Sequence, residues 1–238
     1  MGMQGMEYLK KKLSSRRSRV NMRYEHYSMK NREYEIGFTI PKKIRDQYKA
    51  VLGWSAKTVD SLADRLIFRE FANDNFDVNE IFRANNPDVF FDSAVLSALI
   101  ASCSFVYISN GEDEIPRLQV IEASNATGVI DETTGLLKEG YAVLERDENN
   151  KPSVEAYFTG DQTTFYYADK NVENFSLDNP TGHPLLVPII HRPDAVRPFG
   201  RSRITRAGMY WQRNAKRTLV RADVTAEFYS FPQKYVVG

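Results

Sequence analysis

Five arginines carry the most distinctive chemistry in this sequence. If residues 202–229 form one helix, Arg203, Arg206, Arg213, Arg217 and Arg221 fall within an arc of about 80° at 100° per residue. A row of guanidinium groups suits a phosphate backbone, which it can bind through counterion release without reading bases. A polar stripe on a helix is ordinarily just a solvated face. Here, however, Asp223 and Glu227 are the only carboxylates on the segment, so i,i+4 ion pairing does not account for the arginines.

The element that must hold them spans roughly 28 residues, or about 42 Å. It is interrupted by no Pro and by Gly208 alone. Its other face gathers Ile204, Ala207, Gly208, Trp211, Ala215, Leu219, Ala222, Ala226 and Tyr229. Small residues there let a neighbouring helix backbone approach closely, so this face is expected to pack.

Other chemistries lack their residues. No Gly-x-x-x-x-Gly-Lys-Ser/Thr loop or Gly-x-Gly-x-x-Gly fingerprint occurs, which excludes an ATP-driven motor or a dinucleotide fold built on those motifs. His26, His183 and His191 are scattered and Cys103 is the single cysteine, so no metal and no cofactor are expected. The carboxylate pairs Asp60/Asp64 and Glu112/Glu114 have no histidine nearby and read as solvated surface. The run Phe165-Tyr166-Tyr167 could stack bases, but its alternation fits strand packing better. No enzymatic activity is expected.

The net charge of +1 conceals a strong polarity. Residues 1–32 carry nine basic against two acidic side chains, and residues 192–238 carry ten against three. Both ends are basic and the stretch between them is strongly acidic. Such patches, not the total, attract polyanions. A hydrophobic share of 42% with 26% charged residues is that of a folding sequence. No apolar run approaches the ~20 residues of a membrane span, and the N-terminus lacks the apolar core of a secretory signal, so neither insertion nor export is expected. Cys103, inside an apolar stretch, fits a reducing compartment.

Along the chain, the pattern predicts a basic helix over 7–30 and a helix starting at Pro41 and stopping at Gly53. Ser55 is placed to cap a third over 56–68. Two more follow over 77–84, with Asp77 at its start, and over 88–102. From Phe105 the texture changes to strands at 105–108, 117–121, 140–145, 153–158 and 163–167, separated by turns such as Asp147-Glu-Asn-Asn150. Residues 186–190 contain Pro188 and can form an edge strand only. The reading is an α+β fold: N-terminal helices, an antiparallel β-meander, then one long C-terminal helix.

Two stretches together carry a resemblance. The first is Leu52-Gly-Trp54, Val59-Asp60 and Ala63-Asp64-Arg65-Leu66. The second is Phe199-Gly-Arg-Ser-Arg-Ile204, then Arg217-Thr218, Ala226-Glu227-Phe228-Tyr229-Ser230 and Pro232-Gln233-Lys234-Tyr235. With these, residues 8–238 resemble the portal proteins of long-tailed phages, over the N-terminal half of such a subunit. The resemblance implies a basic arm over 1–35, a wing domain over 36–198, a stem helix over 199–231 and the start of a clip over 232–238. It implies a ring of about twelve copies at the capsid vertex, a conduit for packaged and ejected DNA. Its expected partners are double-stranded DNA bound without sequence preference, the terminase motor, the capsid protein and a head-tail adaptor. It places the protein in the virion, and in the host cytoplasm during assembly.

In that frame Arg203, Arg206, Arg213, Arg217 and Arg221 would face DNA, and Ala207, Trp211, Ala215, Leu219, Ala222 and Ala226 would pack against neighbouring subunits. A whole portal subunit continues past the clip into a second stem helix, so this chain reads as a fragment or as one completed by another chain. The alternative reading is a non-catalytic scaffold or adaptor whose basic ends bind an acidic partner.

Overall fold

The computed structural model describes residues 3–31, 49–74, 76–111 and 115–230. The helix expected from Pro41 and the pair Glu112/Glu114 lie outside them. Within them the fold is α+β.

Helix α1 (Met6–Tyr27) holds Leu9, Leu13 and Val20 at a spacing that turns one stripe inward, with its charges on the remaining surface. Helix α2 (Trp54–Ala63) is shorter than the apolar pattern implied. Arg65 N–H bonds Leu62 O and Leu66 N–H bonds Ala63 O, tightening the end into i→i−3 turns, and Leu66 and Ile67 emerge exposed. Ser55 does not cap α2; its side chain is turned to another helix, described below. Helix α3 (Val78–Ala84) starts after Asp77, whose φ is 55° and whose carboxylate makes no cap hydrogen bond. The cap comes from Asp74 instead, whose two carboxylate oxygens accept the N–H groups of Val78 and Asn79 at 2.7 Å each. Helix α4 (Pro87–Ala101) opens on proline at its first turn, buries Ala94, Ala98, Leu99 and Ile100, and stops at Ser102, where φ is 95°.

Eight strands follow: β1 (Cys103–Asn110), β2 (Pro116–Glu122), β3 (Ala126–Ile130), β4 (Leu137–Arg146), β5 (Pro152–Phe158), β6 (Gln162–Tyr167), β7 (Phe175–Asp178) and β8 (Leu186–Ile190). They build two antiparallel sheets, where the sequence suggested one meander. The meander is the five-stranded sheet β3-β4-β5-β6-β7. The other, β2-β1-β8, closes because β8 returns across some 80 residues to pair with β1, Cys103 opposite Ile190 and Tyr107 opposite Leu186. Pro188 lies opposite Phe105, and β8 is an edge strand, the position a proline permits. Strands β3 and β7 carried too weak a pattern to be foreseen. Gly128 in β3 is required by proximity, since a Cβ there would sit 2.7 Å from Glu139 O.

The main core joins the sheets around Phe105, Phe158, Leu186, Ala142 and Ala156, with Val20 of α1 and Phe199 closing it. The N-terminal half of α1 lies on β3 and β4, where Leu9 and Leu13 meet Tyr141 and Val143. Its start is pinned by Glu139, a fully buried carboxylate that accepts Gln4 N–H at 2.7 Å, Gly5 N–H at 3.1 Å and the Tyr157 hydroxyl at 2.7 Å. An anion at a helix N-terminus gains from the macrodipole as well as from these bonds. Among the described residues no helix is long and apolar enough to cross a membrane.

Glu139→Ala leaves three donors facing an apolar hole. It is expected to cost about 3 kcal/mol, read as a lower denaturant midpoint at unchanged slope. A loss under about 1 kcal/mol would mean that α1 does not depend on this anchor.

Candidate nucleic-acid and subunit interface on the C-terminal helix

Helix α5 (Arg206–Ser230) is unbroken over 25 residues, or about 37 Å. It starts four residues later than the apolar pattern implied, because residues 199–204 serve as a joint. Phe199 is buried against Phe105, with the Lys12 ammonium 5.0 Å and the Arg16 guanidinium 5.2 Å from its ring centre. Gly200 has φ of 70°, and a Cβ would fall 2.2 Å from His191 O. Arg201 donates its N–H to His191 O at 2.9 Å and pairs its guanidinium with Asp194 at 2.5 Å.

The next residues of the joint finish α4. A helix leaves its last four carbonyls without partners inside the helix. Here Ala98 O accepts Ser102 N–H, Leu99 O accepts Arg203 N–H at 2.8 Å, Ile100 O accepts the Ser202 hydroxyl at 2.5 Å, and Ala101 O accepts the Arg23 guanidinium at 2.7 Å. Arg203 therefore lies ahead of α5 and off the expected row. Its side chain bonds Thr58 O at 3.2 and 3.3 Å, tying the joint to α2. Ile204 is buried with Val59, Leu99, Ile100 and Met209.

Beyond the joint α5 has three faces. Met209, Gln212, Lys216, Val220 and Val224 form the buried one. Gln212 is fully enclosed: its carbonyl accepts the N–H and hydroxyl of Ser55 at 3.1 and 2.6 Å, and its amide donates to Leu52 O at 2.7 Å. That clasp, with Arg203 on Thr58, fixes α5 against α2. The spacing 209, 212, 216, 220, 224 is helical, but a glutamine and a lysine inside it masked the stripe in the sequence.

The second face is cationic. Arg206 and Arg221 are exposed, while Arg213 and Arg217 are half-buried on the shoulder of the packed face. Arg217 Nε is enclosed without a hydrogen-bond partner among the described residues. His26 at the end of α1 is buried near Arg213 and Lys216, and its Nδ1 has no hydrogen-bond partner among the described residues. The third face is the small and aromatic one. Ala207, Gly208, Trp211, Leu219, Ala222, Ala226 and Tyr229 are all exposed and Ala215 is half-buried, with Trp211 63% and Tyr229 81% accessible. Among the described residues, the ring contact of Trp211 is with Tyr210, edge-on at 5.7 Å.

The arrangement supplies cations and shape, and no nucleophile paired with a base. Among the described residues no cluster of His, Cys, Asp or Glu could hold a metal. Asp60 is a structural acceptor for the Tyr27 hydroxyl at 2.9 Å. Phe165 is buried and stacks on Phe175 at 4.9 Å, as strand packing requires. Burial pushes the Cys103 thiol up to about 11, so it stays protonated and unreactive.

Two expectations test the joint and its surroundings. Gly200→Ala combines a left-handed backbone with a backbone clash and should cost roughly 3 kcal/mol or more in chemical unfolding, loosening α5 from α2. A neutral result would show that residues 199–201 can rearrange freely. For His26, burial first and then Arg213 hold the imidazole below its ordinary value of 6.5. A depressed folded-state pKa contributes stability above the unfolded value, and this is lost as pH falls through about 6.5 and below. Melting temperature should therefore drop on acidification in the wild type, with a flatter profile in His26→Asn; parallel profiles would remove His26 as the cause.

No protein-family model matches the chain. Two curated relatives do, the portal proteins of Mycobacterium phage L5 and Mycobacterium phage D29, each 24% identical over 228 residues covering 90% of this chain and 47% of theirs. The chain thus spans about half the length of the curated relatives it matches. The similarity runs through nearly all the elements described above, and by it the chain is a relative of the phage portal proteins.

Proposed function

We propose that this chain is part of a portal subunit, a non-catalytic component of a ring at the capsid vertex through which double-stranded DNA passes. The observation that carries the reading is the siding of α5. One rigid rod of about 37 Å carries a cationic row and, on another side, an uncovered face of small and aromatic residues. Repetition of the rod around an axis would cover Ala207, Trp211, Ala215, Leu219, Ala222 and Ala226 with neighbouring subunits and leave Arg206, Arg213, Arg217 and Arg221 toward the bore. The names of the two relatives support the same reading.

In this reading residues 1–35 form an arm, 36–198 the wing, 199–231 the joint and stem, and 232–238 the start of the clip. About twelve copies surround the duplex, with the packaging motor, capsid protein and head-tail adaptor on the faces of the ring. A conduit needs contacts that hold phosphates briefly and ignore sequence. Guanidinium groups on a rigid helix supply this, since their attraction is to the backbone and is screened by salt.

The test is Arg206, Arg217 and Arg221 changed together to Gln. Duplex binding should weaken, and the slope of log affinity against log salt should fall by about 2 to 3, with melting behaviour unchanged. DNA packaging should fall in parallel. Unchanged packaging and an unchanged salt slope would sink the DNA contact.

A further inference from the structure

The charge polarity of the chain is resolved by the structure into two opposed edges of one sheet. Between the basic ends, residues 33–191 hold 26 of the 31 acidic side chains and 13 of the 32 basic ones. In the five-stranded sheet, β3 lies at one edge and β7 at the other. The β3 end is overlaid by α1, whose Lys12 donates to Gly128 O at 2.7 Å. The β7 edge is open, with all four of its residues exposed.

On α1, Lys12, Arg16, Arg19 and Arg23 share an arc of about 60° along roughly 16 Å of helix. Among the described residues none of the four makes an ion pair. Among the described residues their donors are only partly used: Arg23 Nε is buried without a partner, and Arg16 and Arg19 have no hydrogen bond. Burial first, and then the neighbouring Arg16, bring Lys12 down to about 8. The opposite edge has the reverse composition. Over residues 159–182 the acids Asp161, Asp169, Glu173 and Asp178 are all exposed, against Lys170 as the one basic residue. Phe175 and Leu177 stand exposed among them on an edge strand whose outer side is open, an arrangement that invites a partner.

We infer that copies of this chain associate head to tail, the acidic β7 edge of one seating against the cationic face of α1 in the next. The occupant is a second copy because both halves of the contact are carried by the same chain, on opposite ends of the same sheet. A contact of two different surfaces is heterologous and repeats in one direction, which closes a ring when the rotation allows it. The inference rests on the ring reading and assigns it a contact in the wing, apart from α5.

The experiment uses charge exchange, with self-association of the purified protein followed by light scattering and mass photometry. One variant carries Asp161→Lys, Glu173→Lys and Asp178→Lys; the other carries Arg16→Glu and Arg19→Glu. Each alone should assemble at least tenfold more weakly than wild type, and an equal mixture should recover assembly, because each reversed edge then meets a reversed helix. Arg19→Glu and Glu173→Lys, at exposed positions without hydrogen bonds, give the same comparison if a multiple variant loses its far-ultraviolet signature. Wild-type assembly with both variants unaffected overturns this contact and leaves the ring reading standing. A wild type that stays monomeric at every concentration overturns both. Loss in each variant without recovery in the mixture also overturns the pairing of these two surfaces.

Discussion

The structure depends on how the last turn of α4 is finished. Four carbonyl groups at that end, from Ala98 to Ala101, point into the region where helices, sheet and C-terminal rod converge, and buried they would each cost roughly 1 to 3 kcal/mol if left unpaired. Their partners come from three segments far apart in sequence: Ser102 at the turn, Ser202 and Arg203 in the joint, and Arg23 on α1. No one of these can leave without exposing an acceptor, so α1, the joint and α4 are held as a unit. The Phe-Gly-Arg-Ser-Arg-Ile motif follows from this requirement. Phe199 fills the core, Gly200 permits the turn under His191, Arg201 closes on Asp194, and Ser202 and Arg203 finish the helix.

Because the joint consumes residues 199–204, α5 leaves the fold from a fixed point and in a fixed rotation. The Gln212 clasp then sets which way its faces turn. A glutamine with both ends satisfied, toward Leu52 and Ser55, is more specific than an apolar residue of the same size, since a rotation of the helix by one position would strand its donors and acceptors. The cationic and small-residue faces are left outward by this geometry. With Trp211, Leu219 and Tyr229 exposed, a helix held among the described residues by the Gln212 clasp and aliphatic residues is suited to being completed by contacts from outside the chain.

Much of this was legible in the residues. Helical spacing located α1, α3 and α4, alternation located five of the eight strands, and Pro188 identified an edge strand before any pairing was known. What escaped was decided by contacts distant in sequence. The split into two sheets depends on β8 reaching β1, which no local pattern encodes. The cap of α3 by Asp74 instead of Asp77 depends on a carboxylate three residues earlier in the chain. Arg203 fits the helical arc with the other arginines, and only the carbonyls of Leu99 and Thr58 reveal that it belongs to the joint. The buried face of α5 was hidden by composition, since Gln212 and Lys216 read as surface until their enclosure is seen.

The cations of α1 link these parts electrostatically. Lys12 and Arg16 both lie over the Phe199 ring, and Arg23 reaches the end of α4, so the stripe is built into the joint and is not a loose fringe of charge. Holding four like charges within one arc of a half-buried helix is unfavourable for the isolated chain, and burial first, then Arg16, depress the Lys12 ammonium. Folding tolerates the arrangement because the same side chains satisfy Ala101 O and Gly128 O and shield an aromatic ring. An anionic surface brought against the stripe would relieve the repulsion while leaving those bonds intact. Stability of the fold and association at α1 are therefore expected to rise together, since a partner that binds only the folded chain stabilises it by mass action.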